Sequence, residues 1–449
     1  MKRILIFLCV LAVFQTVRAA GPADTLSLQQ LRDRLRENPA LAGNNHLLYP
    51  FAPCQAAPAP KGYRPVYISH YGRHGARYIT TAKKYDEVMN LLQAGHDKGA
   101  LTEKGEALYE RYSAVYPFLK GHNGDLTDKG EWQHRMLARR MVEAYPSVFG
   151  RKPAVDARAS VSPRAILSMM SFCDELHSLR PGLQLSYAAD YADLPVTALA
   201  ADEASGMKDF QAIVQQPSLM AGLARAIQEI GFDAEAFFLR YFKDMDVVRS
   251  CGDPAELASS LGEIATSDAC LDFDGSLGDL FTEEEVFQFW ERSNLWGVLM
   301  FVDTPYTKGL IGARAWTLLR DILDKADEDL ASGARQVRLR FGHDTVVGPL
   351  MVLLGIDGWQ PLPEDATRWK YRFQSWKIPM ASNVQFVFYR GRHGDILVRT
   401  MYNEQDQILP LPDQSLAPYY RWEDFKAYYS AVCEKAQALL EEFRAGLAS

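Results

Sequence analysis

Two predicted strands run directly into clusters of polar residues, and this arrangement limits the fold more than any other feature of the sequence. The apolar residues around Ile68 predict a strand that leads into residues 71–75, YGRHG. The alternating residues 337–341, VRLRF, predict a strand that leads into residues 342–344, GHD, and an apolar helix follows. Strands that alternate with helices indicate an α/β sheet, and ligands bind at the carboxyl ends of strands in such sheets. Both clusters are therefore predicted to face a ligand site.

Other patterns extend the predicted sheet and its helices. Residues 155–159 suggest a further strand, and Ser162 followed by proline has the pattern of a helix start, which would place Arg164 in the first turn. Residues 384–401 contain two alternating segments joined by a glycine-bounded turn, which predicts a hairpin. Residues 422–443 predict an amphipathic helix.

The N-terminus has the pattern of an export signal. Lys2 and Arg3 precede an apolar run over residues 4–14, and small residues follow at 19–20. The run is shorter than the roughly 20 residues needed to span a bilayer, and no later stretch has the length and apolarity of a membrane helix. We therefore expect an exported protein, periplasmic or extracellular, with no membrane span in the mature chain.

Composition and charge argue against several classes of protein. The chain is 48% hydrophobic, as a folded enzyme is, and its formal net charge of -7 argues against a nucleic-acid partner without excluding a basic pocket. Loss of Cys9 with the signal leaves an odd number of cysteines, among which Cys251 and Cys270 are the most local candidates for a disulfide. Neither CxxC nor HExxH occurs, so no metal site is predicted.

The first polar cluster has the composition of a phosphate site. Arg73 and Arg77 flank His74, and the glycines beside them let a ligand approach the backbone. Guanidinium groups match phosphate oxygens in pairs, and their charge keeps a nearby histidine neutral, the form in which it is a nucleophile. The alternative is an exposed basic loop. Residues 392–394 repeat RHG in a predicted turn, and there we favour that alternative.

The second cluster supplies complementary groups. Asp344, if protonated at acid pH, can give its proton to a leaving alkoxide, and His343 can bind the oxygens of a transferred phosphoryl group. Arg164 at a helix start would add a guanidinium and the positive end of a helix dipole. A surface His–Asp pair is the alternative. Lys83 and Lys84 either contact additional phosphates or form a solvated helix face, and composition favours the helix face.

Together these motifs resemble those of the histidine acid phosphatases, the larger branch of the histidine phosphatase superfamily, which includes phytases and multiple inositol polyphosphate phosphatases. The motifs that carry the resemblance are YGRHGARY at 71–78, LTDKG at 126–130, SPRAILS at 162–168, GHDT at 342–345 and ASNVQF at 381–386. The resemblance covers most of the chain from Tyr63 to about Leu409. It implies an α/β fold with a central mixed, mostly parallel sheet flanked by helices, as in phosphoglycerate mutases, and an inserted helical cap.

The resemblance also implies a role for each candidate residue. His74 would be the nucleophile that forms a phosphohistidine, and Asp344 would be the proton donor. The substrate phosphate would be bound by Arg73, Arg77, Arg164 and His343. The enzyme would then be an exported phosphomonoesterase with no metal or cofactor and an acidic pH optimum. Its partner would be a small phosphorylated substrate such as an inositol polyphosphate.

The sequence departs from the family pattern at two places, and two other functions are alternatives to this expectation. Ile79 stands where many members have proline, and His343-Asp344 stands where multiple inositol polyphosphate phosphatases usually have His-Ala-Glu, which weakens an assignment to that group. A phosphate or phosphosugar binding protein would need no Asp344. A phosphoglycerate-mutase-like transferase would share the phosphohistidine, but the signal peptide and the long insertion argue against it.

The 449 residues exceed the usual size of one compact core, so an insertion is expected. The Pro/Ala-rich residues 53–60 predict that the organised domain begins at Tyr63. The predicted order is a signal peptide at 1–20, an N-terminal extension at 21–60, an α/β catalytic domain at 61–175 and 295–449, and a helical cap at 176–294.

Overall fold

The computed structural model describes residues 26–54, 57–150, 152–200, 203–273, 277–359 and 362–448. The signal peptide predicted at residues 1–20 lies outside these ranges and stays a prediction. Within the described ranges, none of the helices combines the length and the apolarity that crossing a membrane requires.

One mixed sheet forms the centre of the fold. Its strands are β1 (Arg64–Arg73), β2 (Ala154–Ala159), β3 (Gln184–Ala188), β4 (Val337–Gly342), β5 (Asn383–Arg390), β6 (Ile396–Tyr402), β7 (Gln405–Asp406) and β8 (Tyr419–Arg421). The order across the sheet is β3-β2-β4-β1-β5-β6-β7, with β8 paired to β6. Pairing is parallel from β3 to β1 and antiparallel from β1 to β8. The predicted mixed sheet and the hairpin of β5 and β6 are confirmed. Among the described strands three pairings are parallel and four are antiparallel, so the sheet is not mostly parallel as expected.

Helices connect the strands and cover both faces of the sheet. They are α1 (Leu28–Glu37), α2 (Lys83–Asp97), α3 (Glu103–Leu119), α4 (Asp128–Ala144), α5 (Pro163–Leu179), α6 (Leu194–Thr197), α7 (Glu203–Val214), α8 (Pro217–Ile230), α9 (Ala234–Phe238), α10 (Asp246–Cys251), α11 (Pro254–Ser267), α12 (Glu283–Phe301), α13 (Leu310–Ala313), α14 (Trp316–Ser332), α15 (Asp344–Leu353) and α16 (Trp422–Ala448). Helices α4 and α5 pack on one face, against Ile68 and Leu339. Helices α12 and α14 to α16 pack on the other face, against Tyr67 and Phe386. A separate core joins α2 and α3 to α9, α10 and α11, and it forms one wall above the sheet.

Strand β4 is more deeply buried than its sequence suggests. Alternating arginines predict one solvated face, yet all 6 residues are buried. Arg338 pairs with Asp329, and Arg340 pairs with Asp321. Because carboxylates neutralise both guanidinium groups, the strand can lie in the middle of the sheet with both faces covered.

The similar sequences LTEKG at 101–105 and LTDKG at 126–130 mark two helix starts. Thr102 Oγ1 accepts a hydrogen bond from Gly105 N at 3.1 Å, and Thr127 Oγ1 accepts one from Gly130 N at 3.3 Å. Each threonine is therefore an N-cap. A Cβ atom on Gly130 would lie 2.3 Å from the carbonyl oxygen of Ala76, so glycine is needed for α4 to approach the loop after β1.

The segment before Tyr63 is part of the folded core, and the expected domain start at Tyr63 is wrong. Helix α1 begins with a capping box at Ser27 and buries Leu31 in a core that contains Trp290. A 3-10 helix follows at Pro39–His46 and reaches the ends of the central strands. Ala57, in the proline-rich stretch that suggested a boundary, is itself bonded to the sheet: its N–H donates to Asp406, and its carbonyl oxygen accepts from Arg399 at 2.9 Å.

The cysteines of the described ranges are free thiols. Cys251 is exposed at the end of α10, whereas Cys270 is buried and its thiol donates to the carbonyl oxygen of His46 at 3.0 Å. The local disulfide considered between them is therefore wrong.

Two buried histidines beneath the loop after β1 predict a loss of stability in acid. His70 and His134 lie against Phe341, and burial lowers the pKa of each to about 3. In the unfolded chain histidine binds a proton near pH 6.5. The free energy of unfolding therefore falls as the pH drops from about 6.5 towards 3, by about 1.4 kcal/mol per pH unit for each group. Thermal unfolding measured at pH steps should show this fall.

His134→Phe provides the matched comparison, because it removes one titrating group and keeps an aromatic ring against Phe341. In this variant the slope of the unfolding free energy against pH should be smaller by about 1.4 kcal/mol per pH unit, the contribution of one proton. Identical slopes in the two proteins would contradict the assignment.

Candidate active site

His74 lies in a loop at the carboxyl end of β1, and its backbone is fixed by three other segments. Its N–H donates to the carbonyl oxygen of Gly342 at 2.9 Å, and its own carbonyl oxygen accepts from Ala381 N at 2.9 Å. The next amide, Gly75 N, donates to Ser168 Oγ at 3.0 Å. The loop therefore holds the imidazole at a defined position relative to β4 and α5.

A hydrogen bond of the His74 ring fixes its tautomer. Nδ1 lies 2.9 Å from the carbonyl oxygen of Gly75, which can only accept, so Nδ1 carries the proton and Nε2 carries the lone pair. Burial, followed by the charges of Arg73 and Arg77, lowers the pKa of His74 well below its usual value. The ring is therefore neutral in acid solution, with Nε2 available as a nucleophile.

His343 stands next to His74 at the carboxyl end of β4. The centroids of the two rings are 5.6 Å apart, and His343 Nε2 lies 3.0 Å from Ser160 Oγ. Burial, followed by the charge of Arg164, lowers the pKa of His343 to about 4. His343 is thus a neutral hydrogen-bonding group at mildly acid pH.

The carboxylate of Asp344 is held by three donors. Oδ2 lies 2.8 Å from an Arg73 guanidinium nitrogen and accepts a hydrogen bond from Asn45 Nδ2 at 2.7 Å. Oδ1 accepts from Thr345 N at 2.9 Å. Burial alone would raise the pKa of this carboxyl, but the charges of Arg73 and Arg77 lower it well below its usual range. These contacts favour the ionised carboxylate in the free protein, so the protonated form of Asp344 that proton donation requires has to arise after substrate binds.

Three arginines concentrate positive charge around His74. Arg73 is fully buried, and it donates to the carbonyl oxygens of Asn45 and Ile378. Arg77 and Arg164 line the cleft, and the Nε atom of each has no hydrogen-bond partner among the described residues. Burial, followed by the charge of Arg77, lowers the pKa of Arg164 to about 10. A bound anion would relieve both the missing hydrogen bonds and the repulsion.

A cleft of about 780 Å³ opens above these groups, and its far wall comes from α2, α11 and α12. This volume is sufficient for a substrate much larger than phosphate. Lys84 lies in the cleft wall, whereas Lys83 has a side chain that is 75% exposed and paired with Glu87. The solvated-face interpretation therefore holds for Lys83 and is wrong for Lys84. In the described part of the chain, His, Cys, Asp and Glu side chains form no cluster that could hold a metal ion.

The N-terminal segment brings to the site two residues that were not predicted from the sequence. Asn45 bonds to the carboxylate of Asp344, and His46 lines the cleft, where burial lowers the pKa of its ring well below the usual value. Asn44 precedes them with a φ of 51°, and its side chain donates to Trp290 O at 3.1 Å. The amphipathic pattern of α1 was the only signal that this segment packs on the protein.

The second RHG motif lies far from the first. It occupies the turn between β5 and β6, where Gly391 N donates to Asp395 O at 2.8 Å. Because β5 runs antiparallel to β1, this turn is at the opposite end of the sheet from His74. The turn predicted for this copy is confirmed.

Comparisons with known proteins agree with the geometry. The family model described as "Histidine phosphatase superfamily (branch 2)" matches residues 72–201 and 277–403. The human protein multiple inositol polyphosphate phosphatase 1 is 24% identical over 422 residues, which cover 83% of this chain and 80% of the human protein. The ranges matched by the family model contain all of the predicted site residues, from Arg73 to Asp344.

Solved structures share the fold at low sequence identity. The multiple inositol polyphosphate phosphatase of Bifidobacterium longum, in complex with inositol hexasulfate, has a TM-score of 0.70 at 17% identity and covers 86% of this chain and 96% of its own. The phytase from D. castellii has a TM-score of 0.60 at 15% identity and covers 92% of this chain and 91% of its own. The architecture described above is therefore common to these proteins.

Proposed function

The chain belongs to branch 2 of the histidine phosphatase superfamily and is a phosphomonoester hydrolase, and we propose that it hydrolyses inositol phosphates through a phosphohistidine on His74. The observation that carries this proposal is the hydrogen bond from Nδ1 of His74 to Gly75, which leaves Nε2 as a neutral nucleophile. Arg77 and Arg164 stand around it with donors that match a phosphate.

The first proposed step transfers the phosphoryl group to the enzyme. Nε2 of His74 forms a bond to phosphorus while the ester oxygen departs and takes a proton from Asp344. Arg77, Arg164 and neutral His343 bind the phosphoryl oxygens, and their charge and dipoles stabilise the negative charge of the transition state. In this proposal the arginines supply the positive charge, and no metal ion takes part.

The second proposed step returns the enzyme to its starting state. Water attacks the phosphorus of the phosphohistidine, the P–N bond breaks, and Asp344 accepts a proton from the water. Inorganic phosphate takes that proton from Asp344 and leaves as its monoanion, so Asp344 is ionised again and His74 recovers its lone pair on Nε2. Splitting the hydrolysis in this way requires only one nucleophile and one proton carrier.

The state of Asp344 predicts a particular dependence of kcat/KM on pH. Asp344 is ionised before substrate binds, so the substrate must bring the proton that Asp344 later delivers. A phosphate ester carries this proton as its monoanion and loses it with a second pKa of about 6. The negative charge of the bound phosphate then opposes the carboxylate and raises its pKa. We expect kcat/KM to fall tenfold per pH unit above the second pKa of the substrate, which explains an acidic optimum.

Two substrates with different second pKa values test this expectation. An aryl phosphate with an electron-withdrawing ring should show its alkaline limb at lower pH than an inositol monophosphate. A limb at the same pH for both substrates would show that an enzyme group sets it, and would contradict the account.

The proposed substrate class has support from the cleft and from the relatives. The cleft of about 780 Å³ has room for an inositol ring beyond the scissile phosphate. The human and Bifidobacterium longum relatives are named as inositol polyphosphate phosphatases.

The test of the proposed function is release of inorganic phosphate, in the presence of EDTA, from inositol hexakisphosphate and from an aryl phosphate. Hydrolysis of both, unaffected by EDTA, supports the proposal, and the ratio of the two kcat/KM values reports substrate preference. Binding of phosphate without turnover of either ester would instead indicate a binding protein.

A further inference from the structure

The far wall of the cleft carries two cations, and each one is already paired with a carboxylate. Lys84 Nζ lies 2.5 Å from Glu263 Oε2, and an Arg292 guanidinium nitrogen lies 3.0 Å from Glu256 Oε1. All four side chains line the same cleft as His74. The formal charge of this wall, counted over these four groups, is therefore zero.

The reaction end of the cleft has a different charge balance. Among the described residues at this end, Arg73, Arg77 and Arg164 are opposed by Asp344 alone, while the histidines are neutral. The scissile phosphate thus enters a field of net positive charge. Any further phosphate of the same substrate must approach a cation whose neighbouring carboxylate repels it.

We propose that Glu256 and Glu263 are specificity-determining residues that disfavour substrates with many phosphates and favour those with few besides the scissile one. This inference rests on the proposed function and deepens it. Glu263 has the larger effect, because its pair with Lys84 is 25% and 30% exposed, whereas Glu256 is 73% exposed and its charge is better screened by solvent.

Glu263→Gln tests the inference, because it removes the charge and keeps the shape of the side chain. We expect kcat/KM for inositol hexakisphosphate to rise about tenfold at low salt, while kcat/KM for an aryl phosphate stays constant. Glu256→Gln should give a smaller rise. Raising the ionic strength should reduce both gains.

A matched control lies on α2, the helix that carries Lys84. Glu87 pairs with Lys83 at 3.1 Å, and Lys83 is outside the cleft, so Glu87→Gln removes an equivalent charge pair without changing the cleft wall. It should leave the ratio of hexakisphosphate to aryl phosphate activity unchanged. Adding Lys84→Met to Glu263→Gln should cancel the gain, which would assign the gain to the released Lys84.

A different role for the two glutamates predicts a different result. If the two glutamates serve to hold Lys84 and Arg292 in place for a phosphate, the glutamine variants will lose activity on inositol hexakisphosphate or leave the ratio unchanged, and the inference is overturned. Thermal unfolding of each variant establishes that it is folded. Failure of the wild type to hydrolyse even the aryl phosphate would instead overturn the proposed function, so the two failures are distinguishable.

Discussion

Replacing His74 with alanine is expected to lower kcat by roughly ten-thousandfold or more on every phosphomonoester, because it removes the only atom in the account that bonds to phosphorus. The fold should survive, since the loop is held by backbone hydrogen bonds and, among the described residues, the ring itself bonds only to the adjacent Gly75. The arginines stay in place, so the variant should still bind inorganic phosphate. Steady-state phosphate release and calorimetric titration with phosphate measure the two properties separately.

The second RHG motif offers a matched control for this variant. His393 has the same two neighbours in sequence as His74 but lies in the turn between β5 and β6. His393→Ala should therefore retain full activity. A His74→Ala enzyme that keeps more than a tenth of wild-type activity would mean that the imidazole only assists binding.

Replacing Asp344 with asparagine is expected to lower kcat by about a hundredfold to ten-thousandfold when the leaving group is an alcohol, and much less when it is an acidic phenol. The reason is that an alkoxide must be protonated as it leaves, whereas an acidic phenolate can leave unassisted. Asparagine preserves the size of the side chain and can still accept from Thr345 N. Measuring kcat over a series of esters with leaving groups of different pKa should give a steeper dependence in the variant.

The same variant separates proton donation from simple positioning. Asp344 also neutralises Arg73 at 2.8 Å, so its loss leaves one more uncompensated positive charge beside the phosphate site. We therefore expect KM to fall along with kcat. An equal loss of kcat for every leaving group would show that Asp344 acts only by holding Arg73, and would contradict its assignment as proton donor.

The sheet and the loops at its edge could be predicted because their signals are local. Alternating apolar residues mark the strands, and threonine N-caps mark the starts of α3 and α4. The two polar clusters meet because β1 and β4 are parallel neighbours, with Arg73 opposite Gly342 in register. A sequence that places polar clusters at two strand ends therefore indicates a shared site once the strands are known to be parallel.

The features that escaped prediction depend on contacts between distant parts of the chain. Asn45 reaches Asp344 across 299 residues, and nothing in the sequence around Asn45 indicates that bond. The ionised state of Asp344 follows from this hydrogen bond and from Arg73, so it could not be judged from the His-Asp pair alone. The neutral far wall likewise depends on α2 and α11 meeting, which pairs Lys84 with Glu263.

The most direct test of the account is to identify the phosphorylated atom during turnover. The enzyme should be mixed with excess substrate, quenched in alkali, where phosphohistidine is stable, and analysed by peptide mass spectrometry and by NMR of the phosphoryl group. We expect a phosphoryl group on Nε2 of His74, because Nδ1 is engaged with Gly75. A phosphoryl group on Nδ1 or on another residue, or turnover with water attacking the ester directly in a His74→Ala variant, would contradict it.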